Sequence, residues 1–323
     1  MSPVTQYVYD GKKWRNEVMV SRASVSNATL SYPPVYGAVG TYRPSASTTG
    51  VPEGTQLTRY PASGSADYEV TTPGAVLDRL DIHGRVIIKA ADVTISRCVI
   101  RGKAVSTSPS NTACIVATAA ACQRLVVQDS MIKPEFPSLW VNGINGHDFT
   151  LLRCDISQVV DGAGLYNTFA PGTDLRVKIQ SSYIHDLAYY SPDPNHSDNQ
   201  THNDGIQVQG GLGAVIQGNN IQSFRVGTTT VVLSCMLFND NVGRCGNHVI
   251  EDNWFGGGYV PINALDSSLG TSNLGRFWRN KFDGTSYKRL TVRRLASVVW
   301  DFGIGTVNQN TYVDTGRTIS VIA

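Results

Sequence analysis

The stretch "IQGNNI" (216–221) has an apolar residue at its first and sixth positions and Asn at its fourth. The same pattern recurs as "ISRCVI" (95–100), "VQDSMI" (127–132), "LLRCDI" (151–156), "IQSSYI" (179–184), "IEDNWF" (250–255), "FWRNKF" (277–282) and "VNQNTY" (307–312). The fourth positions are Cys98, Ser130, Cys154, Ser182, Asn219, Asn253, Asn280 and Asn310, at intervals of 32, 24, 28, 37, 34, 27 and 30 residues. A recurring supersecondary unit of this size marks a solenoid, and the uneven intervals require loops of variable length between fixed strands. The expected fold class is therefore all-β: a single-stranded right-handed parallel β-helix.

In such a coil, equivalent corner residues pile up at the ~4.8 Å strand spacing. Asn side chains in one column can then hydrogen-bond to one another in a ladder. The first and sixth hexad positions point into a continuous core. A β-sandwich, the competing all-β architecture, requires no constant corner residue.

Composition agrees with this reading. Of 323 residues, 41% are apolar and only 16% are charged, with 31 glycines, which favours strands and turns. The formal charge of +2 gives no global basic excess for nucleic-acid binding. "MSPVTQYVYDGKKWRNEVMV" (1–20) contains no apolar run of signal-peptide length, and no window is long enough for a membrane span. The expectation is a protein made in a cytoplasm without membrane insertion. Six cysteines show no C-x-x-C spacing, so no zinc site is expected. Cys98 and Cys154 read as buried thiols; Cys114 with Cys122, and Cys235 with Cys245, are spaced to bridge loops if oxidised.

Residues 1–65 include "SYPPVYGAVGTYRPSASTTGVPEGTQLT" (31–58), a Pro-, Gly-, Ser- and Thr-rich passage that reads as an irregular attachment segment, leaving 66–323 for the β-helix. Two passages, "PGAVLDRLDIHGRVIIKAADVTISRCVIRG" (73–102) and "HNDGIQVQGGLGAVIQGNNIQ" (202–222), resemble right-handed β-helix proteins of the pectate-lyase-like superfamily, especially those of actinobacteria and their phages. The similarity covers about residues 70–285. That superfamily holds lyases, hydrolases, esterases and virion proteins, so the resemblance implies a fold more than an activity. "YVYDGKKWRNEVMV" (7–20) resembles the leader of minor tail proteins in tailed phages of actinobacteria. That likeness implies a virion component, a homotrimer among other tail proteins, meeting the polysaccharide of a host surface.

The candidate site centres on "THNDGIQ" (201–207). Asp204-Gly205 holds the same place as Asn142-Gly143, and a short polar residue before Gly also suits a tight corner with no chemistry. The longest interval precedes it, with "AYYSPDPNHSDNQTH" (188–202) inserted, and long loops on rigid scaffolds commonly carry sites. Polygalacturonases of this fold begin a strand with N-T-D-G, and the resemblance carries over to Asp204 only. His202 has no counterpart there, and the adjacent acidic pair, the G-H-G and the R-I-K of that family are missing.

Glycoside hydrolysis needs two carboxylates. The partner expected for Asp204 is Asp161 of "VVDGAGLYN" (159–167), with Asp186 as second choice and His202 as a modulator or base. No cofactor is expected, although Asp193, Asp198, Asn199 and Asp204 offer oxygen donors of the kind calcium takes. For sugar stacking the candidates are Tyr189, Tyr190, Tyr259 and Trp254, the last because alternation from the inward Phe255 turns it outward. His83, His147 and His248 read as turn or surface histidines, and "YKRLTVRR" (287–294) as a strand with charges on one face. Three functions stay open: glycan contact without turnover, a polysaccharide depolymerase, and a structural tail piece.

Overall fold

A computed structural model of the chain describes residues 40–105, 112–266, 269, 272–302 and 309–319, together with the strands Val4–Tyr9, Trp14–Met19 and Val321–Ile322. The chain divides into two compact units, 1–35 and 36–323. In the first, Val4–Tyr9 and Trp14–Met19 pair antiparallel from Val4↔Met19 to Tyr9↔Trp14. This hairpin falls within the N-terminal segment, 1–65, that the sequence reads as extended or irregular. Asp10-Gly11 between two alternating runs is a recognised hairpin signal.

The second unit is a parallel β-solenoid of three sheets. Sheet I runs from Thr58–Tyr60 to Thr311–Tyr312 in ten strands, sheet II from Tyr68–Val70 to Val321–Ile322 in ten, and sheet III from Val76–Asp78 to Val299–Asp301 in nine. The chain visits I, II and III in turn on every coil, and each strand pairs in parallel with its equivalents one coil before and after. Parallel stacking begins at Thr58, so the coil starts within the stretch read as attachment segment.

The hexad is the passage from sheet III into sheet I. Its first positions (Ile95, Val127, Leu151, Ile179, Ile216, Ile250, Phe277) and its sixth positions from Ile100 to Phe282 line the core. Val307 lies outside the described residues. The column changes from Ile100, Ile132, Ile156, Ile184 and Ile221 to Phe255 and Phe282, so the late coils are filled by packed rings, with Phe255–Phe282 centroids 5.3 Å apart and Phe277–Trp300 5.1 Å.

The fourth positions form one buried column. Backbone N–H groups donate down it: Cys98 to Ser130 Oγ (3.0 Å), Cys154 to Ser182 Oγ (3.0 Å), Ser182 to Asn219 Oδ1 (2.9 Å), Asn219 to Asn253 Oδ1 (3.0 Å), Asn253 to Asn280 Oδ1 (3.0 Å) and Asn280 to Asn310 Oδ1 (2.9 Å). Asn219, Asn253 and Asn280 also donate Nδ2 to the next Oδ1 at 3.0 Å, and all four Asn donate it to a main-chain oxygen of the previous coil, as Asn253 does to Ile216 O at 2.9 Å. The residue before each rung from Cys98 to Asn280 (Arg97, Asp129, Arg153, Ser181, Gly218, Asp252, Arg279) has positive φ, which turns the chain from sheet to sheet in two residues. Its side chain faces outward, where Arg97 pairs with Asp78, Arg153 with Asp129 and Arg279 with Asp252 on the previous coil.

Loop variation falls on the other two corners. The passage from sheet I to sheet II takes three residues at 83–85 but eighteen at 186–203. Residues 40–50 lie along the outer face of sheet I: Arg43 reaches Asp283 at 3.4 Å, Pro44 O accepts from Asn220 Nδ2 at 2.7 Å, and Gly50 N–H donates to Arg153 O at 2.8 Å. All six cysteines are free and buried, and burial pushes the Cys98 thiol up to about 11 and Cys154 up to about 12, so these thiols are inert.

Asn253→Ala removes the acceptor of the Asn219 N–H and the donor to Ile216 O, both buried. The expected cost is about 2–4 kcal/mol from two unsatisfied groups, read as a lower urea midpoint, and Asn253→Ser should recover part of it because Ser fills that place at Ser130 and Ser182.

Candidate functional site

The corner from sheet I to sheet II carries the residues singled out in the sequence. Asn142, Asp161, Asp204 and Ser234 occupy equivalent places on four successive coils and form a second column. Asn142 Nδ2 donates to Asp161 Oδ2 (3.2 Å), the Asp204 N–H donates to Asp161 Oδ1 (3.0 Å), and the Ser234 hydroxyl donates to Asp204 Oδ1. Asn142 also reaches Asn145 Oδ1 at 3.3 Å. Ile144 points into the core, so Asn145 belongs to the outer face of sheet II.

The glycines after these residues have a steric cause. A Cβ on Gly162 would lie 2.4 Å from Gly205 O, and one on Gly205 would lie 2.4 Å from Ile221 Cγ2. The expected stacking of Asp161 on Asp204 is present. The open groove that hydrolysis needs is not, because Asp161 is 4% exposed and Asp204 0%.

Burial governs the charge of this pair. It pushes the Asp161 carboxyl up to about 7 against the opposing pull of the Asp204 N–H and Asn142. Burial first, and then the neighbouring Asp161 charge, raises Asp204 well above the ordinary carboxylate range. Oδ2 of Asp204 is buried with no hydrogen-bond partner, as suits a carboxyl that keeps its proton.

The loop over this corner is stitched to itself. The Thr201 N–H donates to Tyr190 O (3.0 Å), and Asn203 Nδ2 donates to Val160 O (3.0 Å) and Ala188 O (2.8 Å), tying the loop's two ends to the coil. His202 Nε2 meets Asp198 at 2.9 Å, and its ring stacks on His196 at 4.0 Å; its hydrogen bond goes to Asp198 and not to Asp204. That bond holds the Asp198 carboxyl down at about 2. Asp186 is turned to His185, which bridges it to Asp155 on the outer face of sheet I. Asp193 is engaged by His196 at 2.7 Å. Of the oxygen donors named for calcium, Asp193 and Asp198 are thus engaged by histidines and Asp204 is buried, and no group of three His, Cys, Asp or Glu side chains is arranged for a metal among the described residues.

The aromatic candidates separate. Trp254 does lie on the outer face, but it is only 7% exposed: Lys281 Nζ sits 4.2 Å from its ring, and residues 43–44 bond to Asn220 and Asp283 on either side. Tyr189 lies under the Arg225 guanidinium (3.5 Å) with its hydroxyl on Gln200, and Tyr190 is partly buried in the loop. Tyr259 is 43% exposed and stacks on Tyr287, 40% exposed, at 4.5 Å and 17°. Tyr287 was not singled out because "YKRLTVRR" was read as one strand. Residues 287–289 instead form a tight turn with Lys288 and Arg289 at positive φ, and the strand begins at Val292. His147 lies in the turn between Val141–Gly146 and Phe149–Leu152, buried there, whereas His248 is a correction: it opens the strand His248–Glu251, is buried, and desolvation drives it down to about 4.

This chain matches no protein-family model, and neither the curated proteins nor the solved structures contain a significant match to it.

A carboxyl with a raised folded-state pKa binds more protons folded than unfolded, so its ionisation costs stability as pH climbs from about 4 toward 7. Asp204→Asn, which gives this place the neutral amide that Asn142 already supplies two coils earlier, should raise the melting temperature at pH 8 and leave it nearly unchanged at pH 4. A destabilised variant at pH 8 would contradict the protonated-pair assignment.

Proposed function

We propose that this chain is a minor tail protein of a phage of actinobacteria, and that it contacts host-surface glycan without turning it over. The parallel β-solenoid and the resemblance of residues 7–20 to tail-protein leaders support the virion assignment. The observation that carries the glycan contact is the solvent-facing Tyr259–Tyr287 pair on a loop-bearing corner, because flat rings on a rigid frame bind sugar C–H faces at low entropic cost. A homotrimer alongside other tail proteins is the assembly proposed.

A depolymerase on the same scaffold is the second reading, favoured by the juxtaposed Asp161 and Asp204. Their burial weighs against it, since a substrate must reach both carboxylates. On a printed array of bacterial surface polysaccharides, Tyr259→Ala and Tyr287→Ala should each weaken retention about two- to tenfold, the worth of one ring contact. No new reducing or unsaturated ends should appear in solution. Released ends that vanish with Asp204→Asn would replace binding by depolymerisation.

A further inference from the structure

The turn after Tyr287 is unusual in its backbone. Lys288 (φ 50°, ψ 28°) and Arg289 (φ 56°) are consecutive side-chain-bearing residues in the left-handed region, which L residues avoid. Surrounding bonds hold them there: the Arg289 N–H donates to Ser286 O (3.0 Å), the Leu290 N–H to Tyr287 O (3.0 Å), and the Tyr312 hydroxyl to Arg289 O (3.1 Å). Single left-handed residues recur at the hexad corners, so this turn is distinguished by having two in succession, which fixes the positions of both side chains.

The two cations of this turn are treated differently. Arg289 is neutralised by Asp314 at 3.0 Å and lies over the Tyr312 ring. Lys288 is exposed, has no carboxylate partner among the described residues, and places Nζ 5.2 Å from the Tyr287 ring centroid. Nearby, Arg43 meets Asp283, Arg276 meets Glu251, and Arg279 meets both Glu251 and Asp252, while Lys281 and Arg293, like Lys288, meet no carboxylate among the described residues, Lys281 lying instead over the Trp254 ring. Of the two left-handed residues, Lys288 is the one whose charge meets no carboxylate among the described residues, and it stands beside the exposed aromatic pair.

Resting on the glycan reading above, we propose that Tyr259, Tyr287 and Lys288 form one subsite for a negatively charged sugar residue, a uronic acid or another carboxylated sugar. The rings take the apolar face of the sugar. Lys288 takes its carboxylate, and one exposed charge pair adds selectivity more than affinity.

The test compares full-length protein on immobilised hyaluronan and alginate, which are carboxylated, with dextran and mannan, which are neutral. Wild type should be retained by a carboxylated polymer, and the retention should fall with added salt. Lys288→Asn, which removes the charge and tolerates the left-handed backbone, should weaken it about two- to fivefold, and Lys288→Arg should restore it. Equal retention on neutral polymers, or indifference to Lys288→Asn, overturns the charge assignment while leaving the glycan reading standing. Absence of retention on all four polymers, together with no signal on the wider polysaccharide array, overturns both. Unchanged melting of the Lys288 variants shows that their effect is local.

Discussion

The side-chain amide is the one small group that can close a solenoid corner in both directions. Asn253 accepts from the backbone and side chain of Asn219, donates back to Ile216 O, and donates onward to Asn280 Oδ1, so one residue links three coils with its amide fully satisfied. Ser182 accepts from the Cys154 N–H and returns its proton to Gln180 O within its own coil, and Cys98 accepts through sulfur. The column is thus most strongly bonded from Asn219 onward, and from the next coil phenyl rings replace isoleucine in the core. Larger rings need a register held firmly along the axis, and the amide ladder supplies it.

The second column obeys the same geometry with a different chemistry. Asp161 and Asp204 donate their backbone N–H to the side-chain oxygen of the preceding member, the Ser234 hydroxyl donates to Asp204, and Gly143, Gly162 and Gly205 give the chain room to bend against the next coil. Two of the four members are acids, and burial makes them hold protons that solvent would remove. A carboxyl kept neutral in a column resembles an amide in its hydrogen bonding. Proximity of two aspartates therefore does not by itself mark an active centre, since the same proximity arises wherever a corner residue recurs on adjacent coils.

The hexad made the core and the ladder legible because both depend on residue types that repeat with the coil. The left-handed position inside the hexad was not legible: Arg97, Asp129, Arg153, Ser181 and Arg279 show no preference for Gly or Asn, since the stacked neighbours impose the conformation. Alternation placed Trp254 outward correctly but could not show that residues 40–50, more than two hundred positions earlier, lie across that face. The stacking of Asp161 on Asp204 followed from equivalent places in the coil, whereas their burial depends on a loop whose path no periodicity encodes. In "YKRLTVRR" the alternation of charge suggested a strand, yet Ser286, Asp314 and Tyr312 hold its first residues in a turn.

These differences share a cause in the unequal freedom of the three corners. The corner from sheet III to sheet I spans two residues on seven successive coils, from 97–98 to 279–280, and an insertion there would break the amide column on both sides of it. The corner from sheet I to sheet II lacks that constraint and accepts eighteen residues at 186–203, the Tyr259 turn, and the strained turn at Lys288. Chemistry that must differ between related solenoids can change only where length and sequence are free, while stability is carried where they are not. The exposed rings and the uncompensated lysine stand on the permissive corner, and the ladder that holds them in register stands on the other.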